Sequence, residues 1–132
     1  MTLGSRVKML GWRIERETVR HYMGRLFATC ASLTLNLPVY DTQCGAKVFA
    51  RHPAIVAAFA EPFSVSWIFD VELIARIAST LPLVEREEMI IEHPLRQWRD
   101  VAGSKVKLRH LVISFLDLIK IAIKYSANLY RT

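Results

Sequence analysis

Three separated segments carry polar and charged side chains where the surrounding sequence is apolar: Asp41-Thr-Gln-Cys-Gly-Ala-Lys47, Trp67-Ile-Phe-Asp-Val-Glu-Leu73 and Gly103-Ser-Lys105. In the first, Asp41 and Gln43 place oxygen-bearing side chains on one side of an extended chain, suited to orienting a metal-bound diphosphate or an acceptor. Gly45 permits an unusual backbone angle or a close ligand approach. An Asx-turn ahead of a strand accounts for Asp41 equally well. In the second, Asp70 and Glu72 fall in the first turns of a predicted helix, where the helix dipole favours acids. A carboxylate there, aimed into a cleft, serves as a general base or an electrostatic partner. In the third, Ser104 and Lys105, with Arg96 and Arg99 upstream, make either an anion-binding loop or a solvated basic one. Arg6, on a small-residue turn Gly4-Ser5-Arg6, and Arg20, just inside the first predicted helix, are able to converge on one pair of phosphate oxygens. At about 4 Å and an effective dielectric near 20, each such contact contributes on the order of 4 kcal/mol before desolvation. Ordinary surface arginines explain the same spacing.

The elements that position these residues follow from periodicity. Residues 18–35 read as a helix, with Val19, Tyr22, Met23, Leu26, Phe27, Cys30 and Leu33 recurring at spacings of three and four and Pro38 as the stop. Residues 39–49 suit a turn followed by a strand, and Pro53 opens a short helix over 54–59. Ser66 is placed to cap a helix over 67–80 whose buried face is Ile68, Val71, Ile74, Ala75 and Ala78. Residues 84–93 read as a strand centred on Met89, Ile90 and Ile91, and 96–107 as a polar, basic loop. The final helix, 107–129, is two-sided, with Leu108, Leu111, Val112, Phe115, Ile119 and Ala122 on one face and Arg109, Lys120 and Lys124 along the edge of the other. The alternation of helices and strands indicates an α/β architecture with few strands for its length.

Composition narrows the function. At 132 residues the chain accommodates one domain with one core, taken as residues 1–132. No apolar run reaches the roughly 18 residues of a membrane-spanning helix, and the start lacks the apolar core of a signal peptide, so a cytoplasmic location is expected. Cys30 and Cys44 have no metal-ligand spacing, the four histidines are scattered, and zinc and a disulfide are not expected. The net charge of +6 divides into +4 over residues 1–25, −4 over 26–95 and +6 over 96–132. Basic ends around an acidic middle suit an anionic ligand or surface. Nucleic acid is not expected as a partner, because the aromatic residues are not interleaved with the basic ones.

Taken in order, Gly4-Ser5-Arg6, Asp41-Thr-Gln-Cys-Gly-Ala-Lys-Val-Phe49, Trp67-Ile-Phe-Asp-Val-Glu-Leu73 and Gly103-Ser-Lys105 resemble the C-terminal half of a family 2 glycosyltransferase, in the group of dolichyl-phosphate β-glucosyltransferases and dolichol-phosphate mannosyltransferases. The resemblance covers nearly the whole chain. It implies a GT-A fold, a Rossmann-like α/β domain, and transfer of a sugar from a nucleotide-sugar to a polyprenyl or dolichyl phosphate with inversion, using Mg²⁺ or Mn²⁺. It further implies that Asp41 lies beside the sugar and that Asp70 occupies the place of the catalytic base. Arg6, Arg20 and Lys105 would hold phosphates, and Gln43, Gly45 and Ser104 would contact substrate. A lipid phosphate is already ionised near neutral pH, so an orienting or electrostatic role suits Asp70 better than proton abstraction.

The family's Asp-x-Asp metal motif and nucleotide-binding strand precede the Gly-Ser-Arg segment, and no Asp-x-Asp occurs in this sequence. The expectation is therefore an incomplete GT-A domain, its C-terminal, acceptor-side half with an amphipathic last helix and an uncovered sheet edge. Neither metal nor nucleotide-sugar is expected to bind this chain alone. The rival expectation is a peripheral membrane-binding or partner-binding module on the cytoplasmic membrane face, using the basic ends and the last helix.

Overall fold

Strand β1 (Thr2–Ser5), at the start of the chain, is the middle strand of the main sheet. It pairs antiparallel with β3 (Lys47–Val48) and parallel with β4 (Ile91–Pro94), so that Leu3 lies opposite Lys47 on one side and Glu92 on the other. A computed structural model describes residues 1–15, 18–99 and 108–131; for Thr18, Val19, Arg20 and Leu108 it describes the backbone alone. A second, two-stranded parallel sheet joins β2 (Arg13–Glu15) to β5 (Gln97–Arg99). Parallel pairing requires a crossover, and the helices α1 (Thr18–Leu35), α2 (Pro53–Ala58), α3 (Phe69–Ser79) and α4 (Leu83–Met89) lie between the paired strands in sequence. The last helix, α5 (Leu108–Leu129), packs against α1 and α3. The described residues thus form a mixed α/β fold with short strands, as the sequence indicates.

Helix α1 matches its predicted span, but Pro38 is not its stop. Asn36 turns the chain with φ of 50°, its N–H bonding the Leu33 carbonyl at 3.2 Å while that of Leu37 reaches Ser32 at 3.3 Å. The predicted apolar face is also rotated. Phe27, Ala28, Ala31 and Leu35 are buried, whereas Tyr22, Leu26 and Leu33 are exposed. Small alanines let the neighbouring helices approach closely, and a count of large apolar residues misses that.

Helix α2 begins at Pro53 as expected, with His52 Nδ1 accepting the Ala54 N–H at 3.2 Å. Helix α3 buries the predicted face, yet Ser66 does not cap it. Ile68 occupies the cap position without a side-chain bond. Residues 84–93 are not one strand: α4 takes most of them and leaves only β4. Good helix formers, Glu85 to Glu88, outweigh the apolar trio behind them, and Arg86 is drawn inside. Its guanidinium donates to the carbonyls of Leu81, Leu129 and Asn128 at 3.0, 2.5 and 2.8 Å, closing the C-terminal end of α5.

Strand β5 occupies part of the predicted 96–107 loop. Helix α5 keeps its predicted span but turns a different side inward, with Ser114, Asp117, Leu118, Ile121 and Leu129 buried and Val112 and Ile119 outside. Its basic edge is partly committed: Lys120 pairs with Asp117 at 2.7 Å and Lys124 approaches Glu72 at 3.4 Å. Among the described residues no helix is long and apolar enough to cross a membrane.

Candidate functional site

Arg6 leaves the end of β1 and meets Asp41, which lies in the turn region between α1 and β3. The guanidinium grips the carboxylate at two points, Nε to Oδ2 at 2.7 Å and Nη2 to Oδ1 at 2.8 Å, and the Arg6 backbone N–H adds a third bond at 3.1 Å. Two parallel charge-assisted bonds fix orientation as well as charge. The Asp41 backbone is fixed independently, because Glu92, opposite Leu3 on β4, accepts the N–H groups of Tyr40 and Asp41, each at 2.7 Å. The Trp98 ring of β5 lies beneath the Arg6 guanidinium at 5.3 Å.

Lys47 lies opposite Leu3 on the other side of β1. Its Nζ is 2.9 Å from Asp70 Oδ1 in the first turn of α3 and also donates to the Cys44 carbonyl. Burial pushes the Asp70 carboxyl above its ordinary value of 3.8, Lys47 pulls it back, Asp41 raises it and Arg6 lowers it. The two ion pairs therefore sense one another as a single cluster. The 44–46 segment reaches β1 because Gly4 has no side chain. Its N–H bonds the Ala46 carbonyl at 2.7 Å, and a Cβ there would lie 3.0 Å from Ala46 Cβ and 3.1 Å from Cys44 Sγ. Beside Arg6 and Asp41, the buried hydroxyls Ser5 Oγ and Thr42 Oγ1 have no hydrogen-bond partner among the described residues.

The fold thus brings Arg6, Asp41 and Asp70 together. Gln43 lies half-buried in the same loop, whose residues 42–43 form a turn and not the expected extended chain. Gly45 is exposed with open space around it and no positive φ, so the unusual-backbone reading of that glycine does not hold. Gly4-Ser5 is strand and not turn, and Asp41 binds Arg6 in place of an Asx-turn. The Arg20 side chain, Ser104 and Lys105 lie outside the described residues.

Glu72 points away from Asp70 and serves packing. It accepts from Ser64 N–H at 2.7 Å, Val65 N–H at 3.2 Å, Arg76 Nη2 at 2.9 Å and Tyr125 OH at 3.1 Å. Burial opposes its ionisation, yet the bonds from Arg76, Ser64 and Tyr125 prevail and hold its pKa at about 2. Lys47, Glu92 and Trp98 received no role from the sequence. The signal for Lys47 and Glu92 was a lone charge inside an apolar strand, and it becomes specific only through the register that sets both beside Leu3.

Among the described residues no group of three or more His, Cys, Asp or Glu is placed to hold a metal ion. Asp41 is gripped by Arg6 and Asp70 by Lys47, so cations already occupy the carboxylates a metal would need.

The chain is 33% identical over 134 residues to a dolichyl-phosphate β-glucosyltransferase of Saccharomyces cerevisiae, a match covering 99% of this chain and 38% of that protein. It is 30% identical over 118 residues to ALG5D of Trichomonas vaginalis, covering 89% of this chain and 34% of that protein, and 29% identical over 131 residues to ALG5C of the same organism. The curated relatives it matches are dolichyl-phosphate β-glucosyltransferases. The chain spans just over a third of the length of these dolichyl-phosphate β-glucosyltransferases, and the shared stretch includes the cluster from Arg6 to Trp98. No family model matches the chain, and no solved structure matches it.

Proposed function

We propose that this chain is the acceptor-side part of a GT-A glycosyltransferase that moves a sugar from a nucleotide-sugar to dolichyl or another polyprenyl phosphate. The observation that carries the reading is the coupled cluster Arg6–Asp41 and Lys47–Asp70, in a chain whose relatives are dolichyl-phosphate β-glucosyltransferases. Arg6 and Lys47 present two cations to the phosphate, while Asp41 and Asp70 hold them in place and face the sugar. The acceptor is already an anion, so Asp70 orients and balances charge and need not remove a proton. Buried hydroxyls at Ser5 and Thr42, without partners among the described residues, add polar capacity beside the same pair. Arg20, Ser104 and Lys105 belong to this reading as further phosphate and substrate contacts, and Gln43 and Gly45 as the acceptor-side rim. A Mg²⁺ or Mn²⁺ ion, which neutralises a nucleotide diphosphate when bound, would be held by residues other than the described ones.

Sugar transfer from UDP-glucose or GDP-mannose to a polyprenyl phosphate tests this directly, comparing the chain alone with a version extended upstream by a relative's preceding segment. Turnover by the extended version is the expected result. Its absence from both proteins contradicts the reading.

A second observation favours a membrane-facing position. Val112, Leu116, Ile119 and Ile123 recur at spacings of three and four along the outer side of α5, each more than half exposed, with Lys120 and Lys124 beside them. A stripe of this kind suits an anionic bilayer surface. Co-sedimentation with phosphatidylserine vesicles should fall at least severalfold in Leu116→Glu and in the Lys120→Glu/Lys124→Glu protein. Unchanged sedimentation removes this role.

A further inference from the structure

Four phenylalanine rings form a contiguous series whose first and last members neighbour Lys47 and Asp70 in the chain. Phe49 lies two residues beyond Lys47, and Phe69 immediately precedes Asp70. Between them the rings touch in sequence: Phe49 to Phe59 at 5.4 Å, Phe59 to Phe63 at 6.2 Å and Phe63 to Phe69 at 5.6 Å between centroids. Phe63 packs against the core, whereas Phe49, Phe59 and Phe69 are 40%, 48% and 42% exposed, and an exposed apolar patch of this kind marks a contact surface. The arc is also held rigid. The Arg76 guanidinium lies 4.6 Å over the Phe63 ring and is itself tied to the carbonyls of Ala58, Glu61 and Pro62 at 3.0, 2.6 and 2.6 Å.

An aromatic arc whose end rings neighbour the members of a buried charged pair in the chain fits an amphiphile with an anionic head and a hydrocarbon tail lacking hydrogen-bonding groups. Arg51, exposed and two residues past Phe49, has no ion-pair partner among the described residues and supplies the complementary charge. We infer that the arc is the docking surface for the first isoprene units of the polyprenyl phosphate, with the phosphate at the Lys47 end. The inference rests on the proposed function above and adds to it the place where the tail is read.

The intact chain, titrated calorimetrically with dimethylallyl, geranyl, farnesyl and geranylgeranyl phosphate, and with inorganic phosphate as the head alone, separates head from tail. With one side of the tail covered, affinity should rise about fivefold per added isoprene unit. In Phe49→Ser/Phe59→Ser this gain should shrink to less than about twofold per unit, with inorganic phosphate binding unchanged. Both rings are substantially exposed, and Phe59→Ser alone, at the most exposed ring, should give the same change at about half its size should the double variant unfold. Undiminished length dependence in the variants overturns the inference and leaves the arc as a surface for another protein segment. Wild-type binding that does not grow with tail length overturns it as well. Failure to bind either inorganic phosphate or dimethylallyl phosphate instead overturns the underlying reading of the cluster.

Discussion

Lys47 Nζ lies 2.9 Å from Asp70 Oδ1, and this contact joins strand β3 to the first turn of α3. Both side chains are nearly buried, so each makes the other tolerable inside the protein. The pair also couples the two segments in which the sequence carries its most distinctive polar residues, and it places Asp70 within electrostatic reach of Asp41 and Arg6.

Removing one partner leaves the other charge buried. Lys47→Met should cost roughly 3 kcal/mol of unfolding free energy, and Lys47→Met/Asp70→Asn should recover at least about 1 kcal/mol of that loss. Urea unfolding of the two single variants and the double variant measures both quantities. Additive losses would show that the contact does not couple the two elements.

Glu72 and Asp70 respond to acid in opposite senses. The Glu72 pKa is depressed from 4.5 to about 2, so its contribution is complete above pH 4.5 and disappears as the pH falls towards 2, about 3 kcal/mol in all. The Asp70 pKa is raised, so its contribution is complete below 3.8 and is lost as the pH rises through the folded-state value. Thermal unfolding between pH 2 and 5 should therefore become markedly flatter in Glu72→Gln. A slope equal to that of the wild type would contradict the assignment.

The two glycines near the site should respond differently. Gly4→Ala sets a Cβ at 3.0 Å from Ala46 Cβ and should destabilise by about 1–3 kcal/mol, because the 44–46 segment must move off β1. Gly45→Ala meets open space and should change stability by less than about 0.5 kcal/mol. Comparison of the two unfolding midpoints is sufficient.

Arg86 joins α4 to the end of α5 through three carbonyls. Arg86→Met keeps most of the volume and removes the donors, leaving carbonyls buried without partners at a cost of about 2 kcal/mol. Hydrogen exchange should show the last turn of α5 opening faster than in the wild type while α3 is unchanged. Equal protection at residues 125–129 would count against this role.

Local chemistry made part of this structure readable in the sequence. The spans of α1 and α5, the Pro53 start of α2 and the buried face of α3 follow from spacing and from proline. Asp41 and Asp70 stood out as acids in apolar surroundings, and the fold brings them into one cluster with Arg6. The rest depended on long-range pairing. Residues 84–93 changed type because α4 and β4 are divided by burial of Arg86 against the far end of α5. Glu92 and Lys47 gained meaning only through register with Leu3. The aromatic arc was hidden because its four rings come from separate segments of 49–69, which no periodicity connects.

The central claim is that the Arg6–Asp41 and Lys47–Asp70 cluster is the acceptor end of a glycosyltransferase site. It is tested most directly by the rate of sugar transfer to polyprenyl phosphate in the upstream-extended protein, with Asp41 intact and as Asp41→Asn, folding being checked by circular dichroism. The account predicts a rate lower by about a hundredfold or more in the folded variant. A rate within about twofold of the parent would contradict it.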